Sequence, residues 1–110
     1  MTIKNESKGI ILSDNAVRAK TWKQKTFGLI LAKKGPAMLF KTRSGIHTFF
    51  MRYPIDVLVL DKENKVAAIK RKLNPNRIFL WNIKYYTIIE FPPETLEKTK
   101  IGDEISLKEN

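Results

Sequence analysis

The six residues Ile55–Leu60, apolar except for Asp56 and bounded by Pro54 and Asp61, most constrain what this chain can fold into. A run this short and apolar on both of its alternating faces reads as a central strand, with other structure above and below it. Pro54 cannot donate to a strand ladder and biases Tyr53 away from helix, so the chain ends a strand or bends as it enters the run. Beyond it, Asp61–Lys65 is a polar turn into Val66–Ile69, which predicts a hairpin built on the central strand.

The rest of the chain repeats short β-favouring runs between turn signals. Gly9–Leu12 and Ala16–Ala19 flank Ser13-Asp14-Asn15 and read as a hairpin. Residues 21–32 place Trp22, Thr26 or Phe27, Leu29 or Ile30, and Ala32 at helical spacing with lysines on the other side. Thr21 would cap that helix and Gly35-Pro36 would stop it. A buried strand at Ala37–Lys41 follows, then a turn at Arg43-Ser44-Gly45 and a strand from His47 to Tyr53. Parity there sets His47, Phe49, Met51 and Tyr53 against Thr48, Phe50 and Arg52.

Asn74-Pro75-Asn76 breaks the chain again. Ile78–Asn82 is a loop or short strand, Tyr85–Phe91 a strand, and Pro92–Lys98 a helical turn opened by proline. A final strand covers Ile105–Leu107. The expected fold is mainly β in an α+β sense. It is a compact β-sandwich or barrel-like sheet, with one amphipathic helix packed on it and a short C-terminal helical turn. All 110 residues fit one domain.

With 43% hydrophobic and 29% charged residues the chain is of globular composition. It has no cysteine and one histidine, which excludes disulfides, thiolate metal sites and cysteine nucleophiles. The first nine residues lack the apolar centre of a secretory signal, and no stretch approaches a membrane span. A soluble cytoplasmic protein is the expectation. The net charge of +10 is unevenly spread: no acid occurs from Asn15 to Ile55 or from Asn64 to Ile89. That asymmetry favours polyanionic partners, while a lysine-rich solvated surface explains the same composition without any ligand.

The run His47-Thr48-Phe49-Phe50-Met51-Arg52-Tyr53-Pro54-Ile55-Asp56 carries the densest chemistry. Together with Gly28-Leu29-Ile30, Ala37-Met38-Leu39-Phe40, Leu60-Asp61, Pro75, Ile88-Ile89-Glu90 and Gly102-Asp103, in that order, it resembles the DUF192 family over residues 9–107. Ile30 stands where that family usually has Met, and Ala37 where it usually has Gly. The resemblance implies a compact β-sandwich-like domain and implies no activity.

Within the run, Arg52 offers a bidentate anion clamp, His47 titrates near neutrality, and Asp56 could orient either or accept backbone amides after the proline. Arg71, Lys72 and Arg77 are the best candidates for a basic face, with Trp81 a stacking surface beside them. No phosphate loop, nucleophile elbow or converging carboxylate pair is present. The leading expectation is a non-enzymatic module that binds an anionic ligand or nucleic acid through His47, Arg52, Asp56, Arg71, Lys72, Arg77 and Trp81. It has no cofactor, no metal and no membrane partner. A small enzyme with His47 as acid–base group, and a protein-interaction domain, are the alternatives.

Overall fold

The computed structural model describes residues 1–19, 36–49 and 51–110, and among them it holds ten strands and no helix. These are β1 (Thr2–Asn5), β2 (Ile10–Ser13), β3 (Val17–Arg18), β4 (Met38–Lys41), β5 (Gly45–His47), β6 (Ile55–Leu60), β7 (Val66–Leu73), β8 (Ile78–Leu80), β9 (Thr87–Phe91) and β10 (Ile105–Lys108). They form a five-stranded sheet ordered β3-β4-β9-β6-β7, a three-stranded sheet ordered β10-β1-β2, and the two-stranded pair β5-β8.

Strand β6 is the central strand its apolar pattern predicts. It pairs antiparallel with β7 and β9, and all six of its residues are buried. Its alternation feeds two cores. Leu58 and Leu60 pack with Leu39, Ile89 and Phe91 under Ile3 and Ile105 of the three-stranded sheet. Ile55, Val57 and Val59 pack with Phe40 and Ile88 under Ile46 of β5 and Phe79 of β8. Each such buried aliphatic contributes about 1.5–3 kcal/mol, so the five-stranded sheet is held from both sides.

Backbone hydrogen bonds seam the five- and three-stranded sheets together. Val66 N donates to Asp103 O at 2.9 Å, Gly102 N to Val66 O at 2.8 Å, and Ala16 N to Met1 O at 2.9 Å. Beneath the first seam lies a buried polar knot. Asn5 Nδ2 donates to Thr99 Oγ1 at 3.1 Å and to Asp103 Oδ2 at 2.9 Å, while Lys8 Nζ reaches Asp103 Oδ1 at 3.0 Å.

The mainly β character stands, but the α+β expectation is corrected: the described residues are strands and turns in three open sheets, neither a closed barrel nor a sheet with a packed helix. The amphipathic helix expected at 21–32 lies outside the described residues. The helical turn expected at 92–98 does not form, for a local reason. Proline at 92 and 93 is compatible with a helix start, but Glu94 sits at φ 69°, in the left-handed region. The Leu96 amide then bonds the Asp56 carboxylate at 2.9 Å instead of a carbonyl one turn back.

Two strand expectations also change. The Gly9–Ala19 hairpin is replaced: β2 pairs with β1, and β3 runs parallel to β4. The strand expected to run to Tyr53 stops at His47, because the Thr48 carbonyl accepts from both Met51 N and Asn76 N at 3.1 Å and turns the chain.

Candidate functional site

A bulge opens the site. Between the pairs Val57↔Lys70 and Ile55↔Leu73, the single residue Asp56 faces both Arg71 and Lys72, and Lys72 takes φ 51°. Bulges re-aim side chains in this way. Asp56, 1% exposed, fixes this one: its Oδ1 accepts from Lys72 N at 3.0 Å and its Oδ2 from Leu96 N at 2.9 Å. Both carboxylate oxygens are thereby engaged by backbone.

The bulge sends neighbouring cations in different directions. The Arg71 guanidinium donates from Nε to Leu96 O at 2.9 Å and also to Thr99 O, so it ties down the 92–99 turns. Lys72 instead lines a pocket of about 160 Å³ with Lys70, Leu73, Asn74, Arg77 and Ile78. Arg77 reaches that rim because Thr48 clamps the Asn74–Arg77 turn. Thr48 Oγ1 donates to Asn74 O at 2.6 Å and accepts from Arg77 N at 2.9 Å, and Thr48 N donates to Arg77 O at 2.9 Å. Three cations and no carboxylate line this pocket among the described residues.

The remaining sequence-predicted residues do not converge on it as a group. His47 lies on the outer face of β5, its ring stacked on Phe49 at 4.6 Å, and its Nδ1 accepts from Phe49 N at 3.3 Å. Arg52 is exposed in the loop before β6. Trp81 is half-buried against Phe79 in the second core, with Nε1 donating to Tyr85 O at 2.9 Å, so it packs rather than presenting a stacking face. Asp56 bonds neither His47 nor Arg52, so the hydrogen-bonded trio that an acid–base site at this motif requires is not formed.

A larger pocket of about 360 Å³ is lined by Asp61, Lys62, Glu63, Lys84 and Tyr85. Its charges are mixed, and Asp61 is engaged as a turn former, accepting from Glu63 N at 2.8 Å and Lys65 N at 2.9 Å. No metal-ligating cluster occurs among the described residues.

Sequence reasoning missed Lys70 and Thr48. Lys70 was legible as part of the basic run Lys70-Arg71-Lys72, but which of the three face the same way was not, because the bulge breaks the strand alternation there. Thr48 gave no signal, since its partners lie nearly thirty residues downstream.

Comparison with known proteins agrees with this architecture. The DUF192 family ("Uncharacterized ACR") matches residues 3–107. A UPF0127 protein of Pyrococcus abyssi is 32% identical over 109 residues, covering 92% of this chain and 92% of that protein. Two crystal structures share the fold. One is a protein of unknown function from Novosphingobium aromaticivorans, with TM-score 0.75 and 14% identity over 96% of this chain and 82% of that one. The other, from Sinorhizobium meliloti and described as a candidate transcription regulator, has TM-score 0.76 and 16% identity over 96% and 89%.

Proposed function

The chain belongs to the DUF192 family, and we propose that this member is a non-enzymatic binding module that captures an anionic, phosphate-bearing ligand on its basic face. One observation carries the reading: Lys70, Lys72 and Arg77 line one pocket that no carboxylate lines among the described residues, and Asp56, across the bulge from Lys72, is held by two backbone amides. An anion entering there meets a net positive charge, three lining cations against the one buried carboxylate behind the bulge.

The pocket, at about 160 Å³, is smaller than the roughly 300–1,000 Å³ of sites that enclose a whole small-molecule ligand. It suits a single anionic group whose parent molecule stays outside. Nucleic acid is the extended form of the same ligand chemistry, and a cytoplasmic setting goes with it.

Isothermal titration at low salt against inorganic phosphate, a single-stranded oligonucleotide and a duplex tests the reading. Binding should weaken as salt rises. For an oligonucleotide that engages all three cations, the log–log slope should be about −2 to −3. The Lys70→Gln, Lys72→Gln, Arg77→Gln triple variant should lose the interaction while keeping its denaturation midpoint. Absence of binding to all three ligands at low salt sinks the proposal.

A further inference from the structure

The anion pocket opens beside an apolar surface that the binding reading leaves unused. Cross-strand partners project on the same side of a sheet, so the pairs Gly45↔Leu80 and His47↔Ile78 share one face of the two-stranded pair, while Ile46 and Phe79 face the core. Ile78, Leu80 and, just beyond β8, Ile83 are 62%, 70% and 64% exposed. They form one region. Leu80 Cδ2 lies 2.6 Å from where a side chain on residue 45 would begin, so Gly45 leaves the room Leu80 occupies. Ile83 is tied to the β4–β5 turn by Arg43, whose guanidinium donates to Ile83 O at 2.8 Å. Ile78 itself belongs to both the anion pocket and this face.

The charges that adjoin these side chains are mostly positive: Arg43, Arg77 and Lys84 stand beside them, and the acids Asp61 and Glu63 lie across the larger pocket that Lys84 also lines. A second copy of a chain with net charge +10 would be repelled from such a face. Ile78, Leu80 and Ile83, more exposed than the His47–Phe49 stack beside them, are aliphatic and cannot themselves stack on bases as a single-stranded nucleic acid platform requires. Leu80 and Ile83 stand in water beside the pocket that Ile78 lines, so the partner must receive them. An anionic bilayer does both, offering phosphates to the cations and an acyl boundary to the aliphatics.

Resting on the anion-binding reading above, we infer that the outer face of β5–β8 docks on an anionic phospholipid surface. Lys70, Lys72 and Arg77 take a headgroup phosphate, and Ile78, Leu80 and Ile83 enter the interface. This is peripheral docking; no helix among the described residues is long and apolar enough to cross a membrane.

Co-flotation of the purified protein with vesicles of equimolar phosphatidylglycerol and phosphatidylcholine, against pure phosphatidylcholine, tests it. The protein should float with the anionic vesicles alone. Leu80→Ser with Ile83→Ser should lower partitioning about tenfold or more, with phosphate affinity and denaturation midpoint unchanged. Arg77→Gln should lower it about fivefold. Failure of the native protein to float, with phosphate or oligonucleotide binding intact, overturns the docking and leaves the binding reading standing; failure of both overturns both. Flotation indifferent to the Leu80→Ser, Ile83→Ser pair overturns docking through this face. So does a loss of oligonucleotide rather than vesicle binding in that variant.

Discussion

The two ends of β7 treat the same kind of residue in opposite ways. At its start, beside Asn5, Thr99 and Asp103, the lysine that approaches is neutralised: Lys8 sits at 3.0 Å from a carboxylate that also accepts from Asn5 and Lys100 N. At its far end Lys70, Lys72 and Arg77 gather without a carboxylate, and aliphatic side chains beside them are left in water. The first arrangement fixes the seam between two sheets. The second does nothing evident for folding, and like charges brought together oppose it. Cations gathered at such a cost are what the proposed anion-binding role would account for.

That contrast can be broken by removing one member at a time. The largest effect is expected at the bulge dividing the two regions. Asp56→Ala should destabilise the protein by about 3 kcal/mol or more, since it strands the Lys72 and Leu96 amides in the interior. Urea denaturation measures it, and a loss below about 1 kcal/mol would show that the bulge holds without its carboxylate.

Asp103→Asn should follow, at about 2 kcal/mol, through weakened charge-assisted bonds at the seam. The hydrogen bond from Asn5, then those from Lys100 N and Lys8, hold the Asp103 carboxyl at about 2 against the usual 3.8, although burial opposes them. A group whose pKa is depressed on folding stabilises fully above its unfolded value. That stability is lost as pH falls from about 4 towards 2. Denaturation midpoints should therefore drop over that window, and less steeply in the Asn variant.

Thr48→Val should cost about 1–2 kcal/mol and also weaken anion binding, because the clamp both folds the Asn74–Arg77 turn and brings Arg77 to the pocket. Thr48→Ser should restore both. The smallest stability effect belongs to the functional side: Lys72→Gln and Arg77→Gln should each shift stability by no more than about 0.5 kcal/mol. Their mark should be a flatter salt dependence of binding. If either destabilises as much as Thr48→Val, the two regions are not different in kind.

Legibility in the sequence divides along a similar line. The central strand and its β6–β7 hairpin could be read from local pattern, because a run apolar on both faces has few other places to go. The family resemblance rested on ordered features spread along the chain, with the densest of them leading into this strand. Strand β1 could not be read: Ile3 is the apolar residue at its centre, and the buried Asn5 beside it is accommodated by Thr99 and Asp103, nearly the whole chain away. The missing helical turn at 92–98 has the same origin. Proline at a segment start is compatible with helix, and what overrides it is a carboxylate forty residues earlier. At the site, the basic cluster was visible as composition. What was not visible was the bulge that lays Arg71 over the 92–99 turns and sends Lys72 to the pocket.

Strand β1 lies between β2 and β10, with Ile3 opposite Leu107 and Thr2 opposite Lys108. On the ribosome, the earliest strand to emerge therefore waits for almost the latest before its sheet is complete. Until then Ile3 and the underside of β9 have no cover, so vectorial synthesis gains this protein little. Strand β1 can pair with β2 early, but completing the sheet means closing a loop of about a hundred residues to β10, the kind of non-local pairing that slows small domains.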